Sequence, residues 1–209
     1  TDIKELPENC ILQIHWYREP NFQRFLQENG FVPIVLARHP LDVLLSVLHF
    51  INHEPLTKRW LEGNADIPSD LASKSSISAE FLEYALSFGA ENLLAISYQW
   101  WNDANSIKVR YEDLTQDPAS QFRFILSQLG SVASVESAID IFTPAFFQNM
   151  PNWHGWQASP GLWRKLIVYS DARKIYHRHK NAFDVAGYTV RPSMLSRKSA
   201  LRHWTALKI

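Results

Sequence analysis

The chain has 209 residues, enough for one sizeable hydrophobic core, and 46% of them are hydrophobic against 20% charged, the balance of an ordinary globular domain. Its 21 basic and 21 acidic residues cancel, which argues against a nucleic-acid surface or a polybasic membrane patch and makes any anion site a local matter. Cys10 is the only cysteine, so an internal disulfide and a thiolate metal cluster are both excluded, and no apolar run reaches the roughly eighteen residues of a membrane span.

In chain order, Cys10 to His15 reads as a short strand, with Cys10 a small core residue beside Ile11. A helix is predicted around Asn21 to Asn29, a strand at Val32 to Ala37 and a long helix from Pro40 to about Asn52. Residues 54–76 are polar and interrupted by Pro55, Gly63 and Pro68, a loop with one short helix at Leu56 to Leu61. Ser78 is placed to cap a second long helix, and helical sequence continues through Leu93 to Trp101. Ser106 to Tyr111 reads as a strand, and Asp117-Pro118 opens a helix to Leu129. Val135 to Phe142 reads as a short helix, Thr143 to Pro160 as a loop rich in Trp and Asn, and Tyr169 to Phe183 as the closing helix. Residues 190–209 are basic without clear periodicity, a terminal arm that could pack on a second subunit or a frayed end. The alternation predicts one α/β domain over 1–209, a parallel β-sheet flanked by helices.

The stretch from Pro33 to Phe50 carries the most chemistry. A β-favouring run, Ile34 to Leu36, ends in Arg38, and Pro40 opens the helix directly afterwards. Arg38 therefore stands where a strand hands over to a helix N-terminus, where backbone N–H groups, the helix dipole and a bidentate cation together favour phosphate or sulfate. The helix is apolar almost all round, yet Asp42, Ser46, His49 and His53 are spaced to stack along one face. A polar stripe on a buried helix needs partners, which are either a ligand or neighbouring backbone groups.

With Arg38 and Ser46 eight residues apart inside R-H-P-L-D-V-L-L-S-V-L-H-F, the stretch resembles the 3′-phosphate-binding segment of sulfotransferases, which use 3′-phosphoadenosine-5′-phosphosulfate as donor. Further segments resemble the family in order and spacing. Ile11-Leu-Gln-Ile-His15 is similar to the strand that carries the catalytic histidine, and Arg110-Tyr-Glu-Asp-Leu114 to the motif whose tyrosine lies near the adenine. Gly161-Leu-Trp-Arg-Lys165, followed by Phe183-Asp-Val-Ala-Gly-Tyr188, is similar to the cofactor-covering segment and closing helix. The resemblance implies a P-loop nucleotide-kinase-like fold with His15 as the base. Arg38, Ser46, Tyr111, Gly161, Trp163 and Arg164 would hold the donor, whose product is adenosine 3′,5′-bisphosphate. It further implies no metal, a cytoplasmic location and a small-molecule, lipid or carbohydrate acceptor, and it leaves a homodimer open.

Departures from the family pattern matter equally. The first glycine is Gly30, so the glycine-rich Lys-Ser-Gly-Thr-Thr-Trp type of loop that cradles the 5′-phosphosulfate has no counterpart here. The chain is accordingly expected to be an N-terminally incomplete sulfotransferase, or else a non-catalytic relative that binds an adenine bisphosphate or a protein partner. Gln13 stands where related enzymes carry a lysine, and Ser159-Pro-Gly161 where they carry an Arg-Lys-Gly triplet. A kinase of similar architecture would need a Walker-type lysine and a carboxylate pair for magnesium, and neither appears.

Other features read more simply. His49 and His53 have zinc-compatible spacing without a third ligand, and His177 and His179 lie in a basic helix that reads as a solvated face. Trp100, Trp101, Trp153, Trp156 and Trp163 all suit a core, and the last three, in the loop, are also candidates for stacking on an adenine or lining an acceptor pocket.

Overall fold

Among the described residues, two parallel strands and the helices packed against them organise the fold. The computed structural model describes residues 6–7, 10–53, 67–136, 139, 157 and 159–207. Helix α1 spans Pro20–Glu28, strand β1 Ile34–Ala37 and helix α2 Pro40–His53. After a single 3₁₀ turn at Ser69–Leu71 come α3 (Ala79–Leu86) and α4 (Phe88–Trp101), which lead into β2 (Ile107–Arg110). Then follow α5 (Tyr111–Gln116), α6 (Pro118–Gln128), α7 (Trp163–Leu166), α8 (Tyr169–Arg178), α9 (Lys180–Asp184) and α10 (Arg197–Thr205). The predicted helices at 56–61 and 135–142, and Trp153 and Trp156, fall wholly or largely outside the described residues.

β1 and β2 pair in parallel with Ile34 opposite Ile107 and Ala37 opposite Arg110, and the Ile107 N–H extends the ladder onto the Pro33 carbonyl at 2.9 Å. A parallel pair needs a long crossover, which here runs through α2, α3 and α4. Val35, Ala37, Ile107 and Val109 point into the interior, while Ile34 and Leu36, on the other face, are 43% and 49% exposed. The core gathers around α2, whose Leu41, Leu44, Leu45 and Leu48 are completely buried against residues of α3, α7, α8 and α9.

Local capping chemistry sets the helix starts. Ser78 accepts the Phe81 N–H at 3.1 Å, Ser87 the Ala90 N–H at 3.2 Å, Asp117 the Ser120 N–H at 3.1 Å and Ser196 the Ser199 N–H at 3.1 Å. Ser87, in an extended conformation, therefore divides the predicted helical run into α3 and α4. His179 likewise ends α8, so the predicted closing helix is two helices. The basic C-terminal stretch contains α10, which packs on α7, and Arg197 reaches Asp171 at 2.6 Å and the Ile77 carbonyl at 2.9 Å.

The strand predicted at Cys10–His15 does not form. Residues 10–19 have no regular secondary structure, Ile11 is 93% exposed, and Cys10 is half-buried rather than a core residue. Tertiary ties overrule the β-propensity of this apolar run. Trp100 Nε1 donates to the Trp16 carbonyl at 2.8 Å, and Asp103 takes Arg18 Nε at 2.9 Å together with the Gln23 amide. Phe22 packs edge-on against Trp100, with ring centroids 6.1 Å apart.

Candidate functional site

The strands end in register at Ala37 and Arg110, and side chains carry the pairing two residues further. The Arg38 guanidinium lies over the Tyr111 ring, 4.6 Å from its centroid, and the His39 N–H donates to Glu112 Oε1 at 2.9 Å. Arg38 Nη1 donates to Ser46 Oγ at 2.8 Å, and the Ser46 hydroxyl donates to the Asp42 carbonyl at 3.0 Å. Ser46 thus satisfies its own helix and orients the arginine at once. The Arg38 Nε–H is buried without a partner. Among the described residues no carboxylate comes within 4.0 Å of this guanidinium. An arginine held by a neutral hydroxyl, with an unspent donor, is a cation fitted for an anion.

The helix N-terminus contributes less than its sequence suggests. Pro40 has no N–H, the His39 carbonyl accepts from Asp42 N at 2.8 Å and Val43 N at 3.1 Å, and His39 Nδ1 accepts from Leu41 N at 3.3 Å. The first-turn amides are therefore already partnered, and anion affinity rests on Arg38 rather than on backbone N–H groups. With Nδ1 accepting, Nε2 carries the proton and donates to the Thr189 carbonyl at 3.3 Å. Burial lowers the His39 pKa to about 4, against the pull of the Thr189 carbonyl and Glu112.

Asp42 is buried, and its carboxylate accepts from Gly161 N at 2.6 Å and Trp163 N at 2.8 Å. Burial pushes this carboxyl up from 3.8, and the Trp163 N–H, Arg38 and the Gly161 N–H oppose that rise. Gly161 has φ +78°, a left-handed conformation that suits glycine. Trp163, expected to stack on an adenine, is only 3% exposed, its indole stacked on His39 with centroids 4.8 Å apart and planes at 22°. Its neighbour Arg164 is exposed, with Cζ 5.5 Å from the indole centroid. Tyr188 completes the cluster by donating its hydroxyl to Glu112 Oε2 at 2.6 Å, and its pKa is raised by burial and by that carboxylate.

The structure thus brings together Arg38, Ser46, Tyr111, Gly161, Trp163 and Arg164 at the C-terminal end of the strand pair. His15 stands apart from that logic. It does not end a strand, and the residues after it are tied to Gln99, Trp100 and Asp103, which precede β2, at the end of the sheet opposite Arg38. Partial burial of the imidazole lowers its pKa below 6.5. His39 and Glu112 organise the site without having been singled out for these contacts, and Asp42 meets backbone donors, one of the two kinds of partner expected of the polar stripe. The signal for Asp42 was present, since an acidic residue in the first turn of an otherwise apolar helix must find donors when buried.

The remaining histidines have other surroundings. His49 is buried with its ring 4.6 Å from that of His53, and burial, then His53, lowers its pKa to about 4. His177 is exposed as expected, but His179 is buried and its Nε2 pairs with the Ala85 carbonyl at 2.8 Å. The helix ends at Arg178, which turns His179 inward and corrects the expectation of a solvated face.

These features define an α/β protein whose parallel strands present an anion-oriented arginine at their C-terminal end. Residues 3–154 match the model of the sulfotransferase domain, and the chain belongs to the sulfotransferase family, whose chemistry is sulfuryl transfer. It is 29% identical over 184 residues to Sulfotransferase 6B1 of Homo sapiens, an alignment that covers 86% of this chain and 56% of that protein. The proteins of the same name from Gorilla gorilla gorilla and Mus musculus are each 27% identical over the same shares. The chain thus spans 56% of the length of these curated relatives. No solved structure gives a significant match. Among the described residues no helix is long and apolar enough to cross a membrane.

Proposed function

We propose that this chain supplies the 3′-phosphate-binding part of a sulfotransferase that moves a sulfuryl group from 3′-phosphoadenosine-5′-phosphosulfate to a hydroxyl or amine. The acceptor is a small molecule, lipid or carbohydrate, and the single cysteine suits a cytoplasmic setting. The observation that carries this reading is the Arg38–Ser46 pair: a guanidinium with an unpartnered Nε–H and, among the described residues, no carboxylate within 4.0 Å. Arg38 and Ser46 bind the 3′-phosphate, Tyr111 offers its ring edge to the adenine, and Arg164 adds a second cation from the covering loop. The acceptor oxygen attacks sulfur in line, the sulfur bond to the phosphate oxygen breaks, and a base takes the acceptor proton, His15 being the candidate that the family resemblance names. Adenosine 3′,5′-bisphosphate leaves. The 209 residues contain no glycine-rich phosphate loop for the 5′ end.

A second reading is a non-catalytic module that binds the bisphosphate or a protein partner. It is favoured by the anchoring of the residues after His15 at the far end of the sheet. Calorimetric titration with adenosine 3′,5′-bisphosphate, with 5′-AMP as control and Arg38→Ala in parallel, tests the shared core of both readings. Binding should require both the 3′-phosphate and Arg38. Equal binding of the two nucleotides, or binding unaffected by Arg38→Ala, overturns the assignment. Sulfuryl transfer to a hydroxylated acceptor then separates the enzyme from the module.

A further inference from the structure

Asp42 sets a negative charge at the centre of a site read as binding a highly charged anion. It is 1% exposed, and among the described residues it has no cation within 4.0 Å. Its two oxygens are instead spent on the Gly161 and Trp163 N–H groups, 119 and 121 residues away in the chain. The loop so held is shaped for the purpose: Gly161 lies at φ +78°, and the Trp163 ring rests flat on His39, the residue next to Arg38. Arg164 follows at once, and both it and Arg38 lie close enough to His39 to act on its charge. Carboxylate, loop and both guanidinium groups therefore form one connected unit. A buried carboxylate with two charge-assisted bonds to backbone has few ways to move without leaving an ion unsolvated.

We propose that Asp42 is a positioning residue for the donor nucleotide: its carboxylate latches the Gly161–Arg164 loop to the first turn of α2, so that Arg164 and Arg38 face the same phosphate. This rests on the donor reading given above. The latch assigns a use to a charge that is otherwise unfavourable beside an anion. When the nucleotide is absent, that charge also offsets the repulsion between the two arginines.

Charge and latch predict opposite signs. Asp42→Asn keeps the volume, removes the negative charge and turns an NH₂ group toward one of the two backbone donors. Electrostatics alone would then tighten the binding of adenosine 3′,5′-bisphosphate. Loss of the latch should weaken it by roughly ten- to a hundredfold, the worth of one charged hydrogen bond, while Asp42→Glu, which keeps the charge, should recover part of the loss. A purely structural Asp42 would lower the melting temperature and leave the affinity of the folded protein unchanged.

Amide exchange on the unmutated chain supplies an arm that needs no variant. By linkage, bisphosphate should slow exchange at the Gly161 and Trp163 amides. Unchanged or tighter binding by folded Asp42→Asn, or exchange at those amides indifferent to the nucleotide, overturns the role of Asp42 alone. If the unmutated chain does not bind the bisphosphate, the donor reading falls, and the latch falls with it.

Discussion

Arg38 Nη1 donates to Ser46 Oγ at 2.8 Å across two turns of α2, so the cation at the strand end is steadied by a hydroxyl that leaves its charge intact. A carboxylate in that place would neutralise the arginine, whereas a hydroxyl aims it. Arg38→Ala should cost on the order of 2–5 kcal/mol of bisphosphate affinity if the site is desolvated. Arg38→Lys should recover little of this, because an ammonium can neither pair bidentately nor lie flat on Tyr111. Titration calorimetry of the two variants checks this, and a lysine variant that binds like the parent would show that only charge matters.

His15→Ala should lower turnover by roughly 10²–10⁴-fold, the usual worth of a general base, and leave bisphosphate affinity as it was. Steady-state rates with a hydroxylated acceptor, beside calorimetry, separate the two effects. Unchanged turnover removes His15 from the mechanism.

Acid should destabilise the fold through its buried histidines. The His39 pKa is lowered from 6.5 to about 4 by burial, so the native state keeps it neutral where the unfolded chain takes up a proton. Its contribution is present above pH 6.5 and is lost progressively as pH falls toward about 4, amounting to about 3 kcal/mol in all. His49 behaves alike over the same window. Asn at position 39 can still cap α2 through its side-chain oxygen and does not titrate. Urea unfolding across this pH range should therefore show a shallower acid slope for His39→Asn than for the parent. Identical slopes would mean that His39 is protonated in the fold.

Gly187 has φ +72°, and a Cβ there would sit 2.9 Å from Arg110 Nη2. Gly187→Ala combines backbone strain with displacement of a guanidinium from its place 5.8 Å from the Tyr188 ring centroid. A loss of about 1–3 kcal/mol is expected, read as a lower urea midpoint at unchanged slope.

The sequence carried the local signals well. Pro40 and Pro118 in first turns and the capping residues Ser78 and Asp117 appear where they were expected, because capping depends on a few adjacent residues. Arg38 and Ser46 are legible as a pair through the resemblance of their segment to the sulfotransferase motif. The Cys10–His15 segment was misread because a strand depends on neighbours that the sequence does not announce, and Trp16, Arg18 and Gln23 found partners in Trp100 and Asp103 instead. Trp163 reads from sequence as a candidate for stacking on an adenine or lining an acceptor pocket, and nothing local reveals that its indole meets His39. That Asp42 needs donors is legible, but which donors is not, since they lie more than a hundred residues away.

The pairs Arg38 with Tyr111 and His39 with Glu112 keep the offset of 73 residues set by the ladder that ends at Ala37 and Arg110. The two strands are therefore stitched beyond their last backbone bond, and Tyr188 fastens the stitch from outside through Glu112. The end at Pro33 and Ile107 is where separation of the strands is expected to begin. Like a zip with its stop at the arginine, the sheet should release Arg38 last.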